Sequence, residues 1–204
     1  MNIQAENISV VIDGRHILDN VSFTAEEGQM TAITGKSGSG KTTLLNCLGL
    51  IQPIDSGRIL IGGEDTSRWT EKQKTRFWKK QAAFIYQDYG VIDDETVAYN
   101  ISLSKSKAHG DKIQSVLQSV GLTNRGKDLA VVLSGGEKQR LGIARSMFKD
   151  ASVIYADEPT ASLDAENREN VVSLMRQCAK GGAIIILATH DDRLVKECDR
   201  VVEL

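Results

Sequence analysis

The sequence predicts an α/β fold: a phosphate-loop core, an antiparallel β lobe and an inserted helical lobe. Three observations predict it. First, Gly35-Lys36-Ser37-Gly38-Ser39-Gly40-Lys41-Thr42-Thr43 lies between a short apolar run, Met30 to Thr34, and a helix-spaced segment, Lys41 to Leu50. Strand, glycine-rich loop and helix in that order is the setting a phosphate loop needs. Second, Val153 to Ala156 and Ala183 to Ala188 are continuously apolar and strand-sized, as strands covered on both faces of a parallel sheet are. Third, Asp88 to Asp150 lacks the long β-branched runs of its flanks and reads as mostly helical.

Taken in order, Ile8, Val10 and Ile12 alternate with other residues as in a half-buried strand, and Asp13-Gly14 supplies a hairpin turn. His16 to Phe23 forms the returning strand, and Glu26-Glu27-Gly28 turns the chain into Met30 to Thr34. After the loop helix, Pro53 and Gly57 mark a connection, and Arg58 to Ile61 is a short strand closed by Gly62-Gly63. Glu71 to Lys80, rich in charge and helix formers, is a surface helix whose basic residues form a solvated face. Ala82 to Tyr86 is a strand with Gln87 at its exit. Asp111 to Val120 is helical, with Gly121 ending it, and Ser134 caps a helix from Gly135 to about Lys149. Ala165 to Lys180 is amphipathic, with Val171, Leu174, Met175 and Cys178 on one face and Gly181-Gly182 as its stop. A helix from Asp191 to Cys198 and a strand from Val201 to Leu204 close the order. The whole of 1–204 therefore reads as one domain, with 1–87 and 151–204 as core and β lobe and 88–150 as the helical lobe.

Composition narrows the function classes. At 204 residues, 41% apolar and 25% charged, the chain has the make-up of an ordinary globular domain. A net charge of −2 argues against broad, sequence-independent binding to nucleic acid, so no nucleic-acid partner is expected. No apolar run approaches the roughly 20 residues of a membrane helix. No basic stretch followed by an apolar one marks a signal peptide. Cys47, Cys178 and Cys198 lack metal-ligand spacing and read as reduced thiols, which fits the cytoplasm.

The chemistry begins at the loop. Gly35, Gly38 and Gly40 let the backbone turn several N–H groups toward one point, with Ser37, Ser39 and Thr43 in the same cradle. The helix N-terminus adds partial positive charge. Lys41 can reach terminal phosphates and the Thr42 hydroxyl can ligate Mg²⁺. Asp157, at the end of an apolar strand, suits Mg²⁺, and Glu158 suits a base that orients water. His190 follows a central strand, where open α/β sheets deliver ligand-binding groups. Gln87 has the equivalent exit of another strand; its amide can ligate Mg²⁺ and position water, or it can be an ordinary loop glutamine. In Leu133-Ser134-Gly135-Gly136-Glu137-Lys138-Gln139-Arg140, Ser134, Gly135 and Gly136 offer a second anion site at a helix N-terminus. An isolated Ser-Gly-Gly is a plain helix cap. With one phosphate loop and two anion sites, the economical arrangement is a head-to-tail pair in which each nucleotide touches both copies.

These stretches, in this order, resemble the ATP-binding subunits of ABC transporters from about Ile3 to Leu204. Gly35 to Thr42 is similar to the Walker A motif, Gln87 to the Q-loop and Leu133 to Glu137 to the ABC signature. Val153 to Glu158 is similar to Walker B with its catalytic glutamate, Ser162-Leu163-Asp164 to the D-loop, and His190 to the switch histidine. The resemblance implies a P-loop NTPase core, ATP and Mg²⁺ as cofactors, and a homodimer that closes on ATP and reopens after hydrolysis. It also implies a separate transmembrane permease met near Gln87, and a cytoplasmic position on the inner face of the membrane. Asp164 would couple the two sites across the dimer.

One departure stands out. Many members have an aromatic residue near the end of the first strand, stacked on adenine; here Ile12 holds that place, and His16 or a partner residue is the candidate substitute. Leu44-Leu45-Asn46, Gly49-Leu50 and Ser56-Gly57-Arg58 resemble the macrolide-export and lipoprotein-release type. Tyr86 to Val97 resembles the lactococcin-type bacteriocin exporters. Export of a peptide or bacteriocin is the expectation drawn from these. A regulatory cassette that moves no cargo is the second reading. A chromosome-organising ATPase is the third, and it is disfavoured because only a short insertion separates loop from signature.

Overall fold

A computed structural model describes residues 1–204, with every side chain but that of Lys107. Strands β1 (Asn2–Ile12) and β2 (Arg15–Glu26) form a hairpin whose turn residues Asp13 and Gly14 both have positive φ, 49° and 75°. That is the backbone a two-residue hairpin matched to strand twist requires. β3 (Met30–Thr34) leads through the glycine loop into α1 (Lys41–Leu48). β4 (Ser56–Ile61) and the two-residue β5 (Glu64–Asp65) complete an antiparallel sheet of order β2-β1-β4-β5.

α2 (Glu71–Lys80) opens on a capping box between Thr70 and Gln73, and β6 (Ala82–Ile85) follows it. The inserted segment holds α3 (Val97–Ser102), α4 (Gly110–Ser119) and α5 (Gly135–Lys149). Then come β7 (Val153–Asp157), α6 (Ala165–Lys180), β8 (Ile184–Ala188), α7 (Asp192–Lys196) and β9 (Arg200–Glu203). β6-β7-β8-β3-β9 form one all-parallel sheet, with β8 in its centre.

The period of two along the parallel strands divides the interior. Ile184 and Ile186 join Ile33, Tyr155, Leu44, Leu48 and the inward residues of the β lobe, Ile3, Ile8 and Phe23. Ile185 and Leu187 join Ile154, Leu141, Val171, Met175 and the helical segment's Val97, Ile101 and Leu117. Alternate side chains of a strand point to opposite faces, so one sheet serves both cores. Tyr155, fully buried, donates from its hydroxyl to the Leu48 carbonyl at 2.8 Å and ties β7 to the end of α1.

Three expectations are corrected. The alternation in β1 does not hold: Ile8, Ser9 and Val10 are all buried, while Val11 and Ile12 are exposed. Register shifts on both sides of Ile8 and after Val10 change the facing, and Asn7 carries a left-handed φ of 48°. α1 ends at Leu48 rather than Leu50, because Leu50 turns to φ 60°. Gly49 there packs so close to Phe84 that a Cβ would lie 2.6 Å from its ring. α7 spans five residues rather than eight, since the Asp199 carboxylate is drawn back to accept from the Met30 N–H at 2.7 Å. Within the segment expected to be mostly helical, α3 is capped by the Thr96 hydroxyl, which accepts from the Tyr99 N–H at 3.1 Å.

Candidate functional site

Strand order delivers the site. The carboxyl ends of β6, β7, β8 and β3 lie side by side, and they carry Gln87, Asp157-Glu158, Thr189-His190 and the glycine loop. Ligands of open α/β sheets bind at this edge. An open cavity of about 660 Å³ there is lined by Gly35, Ser37, Gly38, Gly40, Lys41, Thr42, Thr43, Gln87, Asp157, Glu158 and His190, together with Lys36, Ile12 and Ile17.

The loop owes its shape to glycine at two positions above all. Gly35 has φ 141° and Gly40 has φ 96°; a Cβ at Gly40 would lie 2.9 Å from the Ile17 carbonyl oxygen. The Lys41 ammonium donates to the carbonyls of Gly35 (2.9 Å) and Lys36 (3.0 Å) and so spans the loop. Ser39 departs from the expected cradle. Its hydroxyl faces Gly35, is buried without a hydrogen-bond partner, and is not on the cavity wall.

The Thr42 hydroxyl donates to the Asp157 carboxylate, at 3.0 and 3.2 Å from its two oxygens. Burial pushes the Asp157 carboxyl above the usual range, the Thr42 hydrogen bond opposes this, and the neighbouring Glu158 charge adds to it. An ion pairing with these oxygens would relieve that desolvation. The hydroxyl, carboxylate and nearby Gln87 amide are hard oxygen donors of the kind Mg²⁺ takes, in part together with phosphate oxygens. Among the described residues no three His, Cys, Asp or Glu form a metal cluster. The donor set therefore suits an ion shared with a phosphate rather than one caged by protein alone.

Glu158 holds a left-handed φ of 44°, uncommon for a residue with a side chain. Its N–H donates to the Ala188 carbonyl (2.9 Å), which pins the turn to β8. One carboxylate oxygen meets His190 Nδ1 at 2.5 Å and the other accepts from the Thr189 hydroxyl at 3.1 Å. The Glu158 side chain is 14% exposed and that of His190 71%, so the imidazole stands outermost. Thr189 was not singled out in the sequence; its position beside His190 at a strand end is the signal that was there to read. Likewise Ile17, not His16, joins Ile12 on the wall.

Ser134, Gly135, Gly136 and Asp164 are absent from this wall. Ser134 caps α5 in a reciprocal box, its N–H and hydroxyl both donating to Glu137 at 2.8 and 2.9 Å. The Glu137 carboxylate is in turn met by Arg125 at 2.6 Å, and it is held below the ordinary carboxylate range, with burial opposed by these hydrogen bonds and the Arg125 charge. The phenol of Tyr89 lies against Gly135, where a Cβ would come within 2.6 Å of its oxygen. Asp164 caps α6, accepting from the Asn167 N–H at 2.8 Å.

Comparison with known proteins bears on this arrangement. The sequence pattern of the ABC transporter family matches residues 18–161. The chain is 35% identical over 195 residues to the macrolide export ATP-binding/permease protein MacB of Mannheimia succiniciproducens, covering 93% of this chain and 30% of that protein. It thus spans about 30% of the length of the macrolide exporters it matches. It is 35% identical over 198 residues to the bacitracin export ATP-binding protein BceA of Halalkalibacterium halodurans, covering 94% of this chain and 78% of that one. Among solved structures, the ATP-binding cassette MJ0796, dimeric in a post-hydrolysis state with ADP and Pi bound, superposes with a TM-score of 0.87 at 25% identity, covering 99% of this chain and 94% of that.

Proposed function

The chain belongs to the ABC transporter family, and on that premise we propose that two copies close on ATP, hydrolyse it, and drive a separate membrane permease that exports a peptide, a bacteriocin or a similar compound. The observation that carries this reading is the division of the anion-binding groups. The cavity gathers Lys41, Thr42, Gln87, Asp157, Glu158 and His190. Ser134, Gly135, Gly136 and Asp164 lie off its wall, and in this reading they complete the cavity of a second copy.

In this reading the loop N–H groups and Lys41 bind the phosphates at the α1 N-terminus. Thr42, Asp157 and Gln87 would hold Mg²⁺, which supplies charge neutralisation on the phosphate oxygens. Glu158 accepts the proton of the attacking water or orients it, and His190 with Thr189 fixes the carboxylate for that task. Ser134, Gly135 and Gly136 of the partner close over the terminal phosphate. Tighter binding of ATP in the closed pair is the source of the stroke. No helix among the described residues is long and apolar enough to cross a membrane. Attachment to the inner face of the membrane would then come through the permease. The names of the relatives, macrolide export and bacitracin export, support export as the direction.

Glu158→Gln is the direct test. It should retain ATP binding, lose hydrolysis by about 10²-fold or more, and accumulate as an ATP-bound dimer in size-exclusion chromatography. Turnover at the parental rate would remove Glu158 from the reaction.

A further inference from the structure

Asn167 lies on the third residue of α6, outside every motif named above. Its side-chain amide stands between an unpaired cation and an unpaired anion. Its Oδ1 accepts from Arg140 Nη1 at 2.6 Å. Its Nδ2 donates to both Asp164 carboxylate oxygens, at 3.0 and 2.9 Å. Neither Arg140 nor Asp164 makes an ion pair among the described side chains. The amide dipole is thus oriented by charge at both ends, and such hydrogen bonds are shorter and stronger than neutral ones.

Arg140 sits one helical turn after Gly136, on the same side of α5. Gly136 comes so near Asn167 that a Cβ on it would lie 2.4 Å from the amide Cγ and Oδ1. Arg140 also donates from Nε to the Val120 carbonyl at 3.0 Å, which anchors the same point to the end of α4. The Asn167 amide therefore joins two turns of α5, at Gly136 and Arg140, to the Asp164 cap, and Arg140 links this junction to the end of α4.

We propose that Asn167 is a positioning residue that locks the Ser134-Gly135-Gly136 terminus and the Asp164 loop into one body, so that both reach the second copy in register when two copies close on ATP. The inference rests on the paired reading above. The lock has no role within a single copy's cavity. Its loss should leave nucleotide binding by the monomer intact while weakening closure and the turnover that depends on it.

The test uses Asn167→Ala, which removes all three side-chain hydrogen bonds, and Asn167→Asp. The aspartate keeps the shape and the acceptor for Arg140 but puts a carboxylate against Asp164. In the Glu158→Gln background, both should raise the protein concentration at which ATP produces dimer by about tenfold. In the parent background, turnover should fall by a similar factor, with its dependence on protein concentration steepened. Fluorescent-nucleotide binding by the monomer should stay within about twofold. If Asn167→Ala fails to fold, the isosteric Asn167→Asp carries the test, with thermal melting as the check. Dimer formation and turnover within twofold of the parent in a folded variant would overturn the proposal. A Glu158→Gln parent that itself fails to dimerise with ATP would instead overturn the paired reading, which keeps the two failures apart.

Discussion

Ile12 shows how much a single side chain can decide. It is 42% exposed at the mouth of the phosphate cavity, with Ile17 beside it on the wall. Two branched aliphatic groups give a base an apolar surface but no π face to stack on. Ile12→Tyr should therefore tighten ATP binding by about 1–3 kcal/mol, the worth of one base–aromatic stack, when measured by nucleotide titration of the monomer. Unchanged affinity would place the base elsewhere. Glu137 poses the opposite case. A carboxylate next to a proposed phosphate seat is a like-charge hazard, and Arg125 answers it from 2.6 Å while also pairing with Asp128. Nothing in the spacing of Arg125 and Glu137 announces this pairing, because the contact crosses a turn whose path only the fold defines.

At the scale of elements, α5 has a liability in its middle. Gln139 is buried, and neither its Oε1 nor its Nε2 has a hydrogen-bond partner among the described residues. A buried amide left unsatisfied costs about 1–3 kcal/mol. Gln139→Leu, of similar size, should raise the thermal unfolding midpoint; a lower midpoint would show that the amide is satisfied in solution. The bounds of α2, α5 and α6 were legible in the sequence because Thr70, Ser134 and Asp164 cap them with side chains that announce themselves. α3 was not, because six residues cannot display a period and its stability comes from Asn100, buried and bonded to the Ile92 and Thr96 carbonyls. The alternation in β1 misled because a bulge leaves no mark in the pattern of apolar residues. The cavity's own groups were legible since each sits within a few residues of a strand end. Ile17 and Asn167 were not, since their parts depend on neighbours distant in sequence.

For the whole molecule, the decisive arrangement is that the glycine loop lines the strand-end cavity while the Ser134-Gly135-Gly136 terminus of α5 lies off its wall. Ser134→Arg places a long cation in the cap of α5 and should abolish ATP-driven pairing and turnover, while the monomer still binds nucleotide with parental affinity. Loss of binding in the monomer would mean that Ser134 serves its own chain's cavity. The parallel sheet is built of strands such as β8, whose successive isoleucines belong to opposite interiors. It is a partition wall shared by two rooms, with every second brick bonded into a different one. Close-packed interiors transmit strain rather than absorb it, so a push on the helical side should tilt the panel from which the glycine loop and the strand-end carboxylates hang.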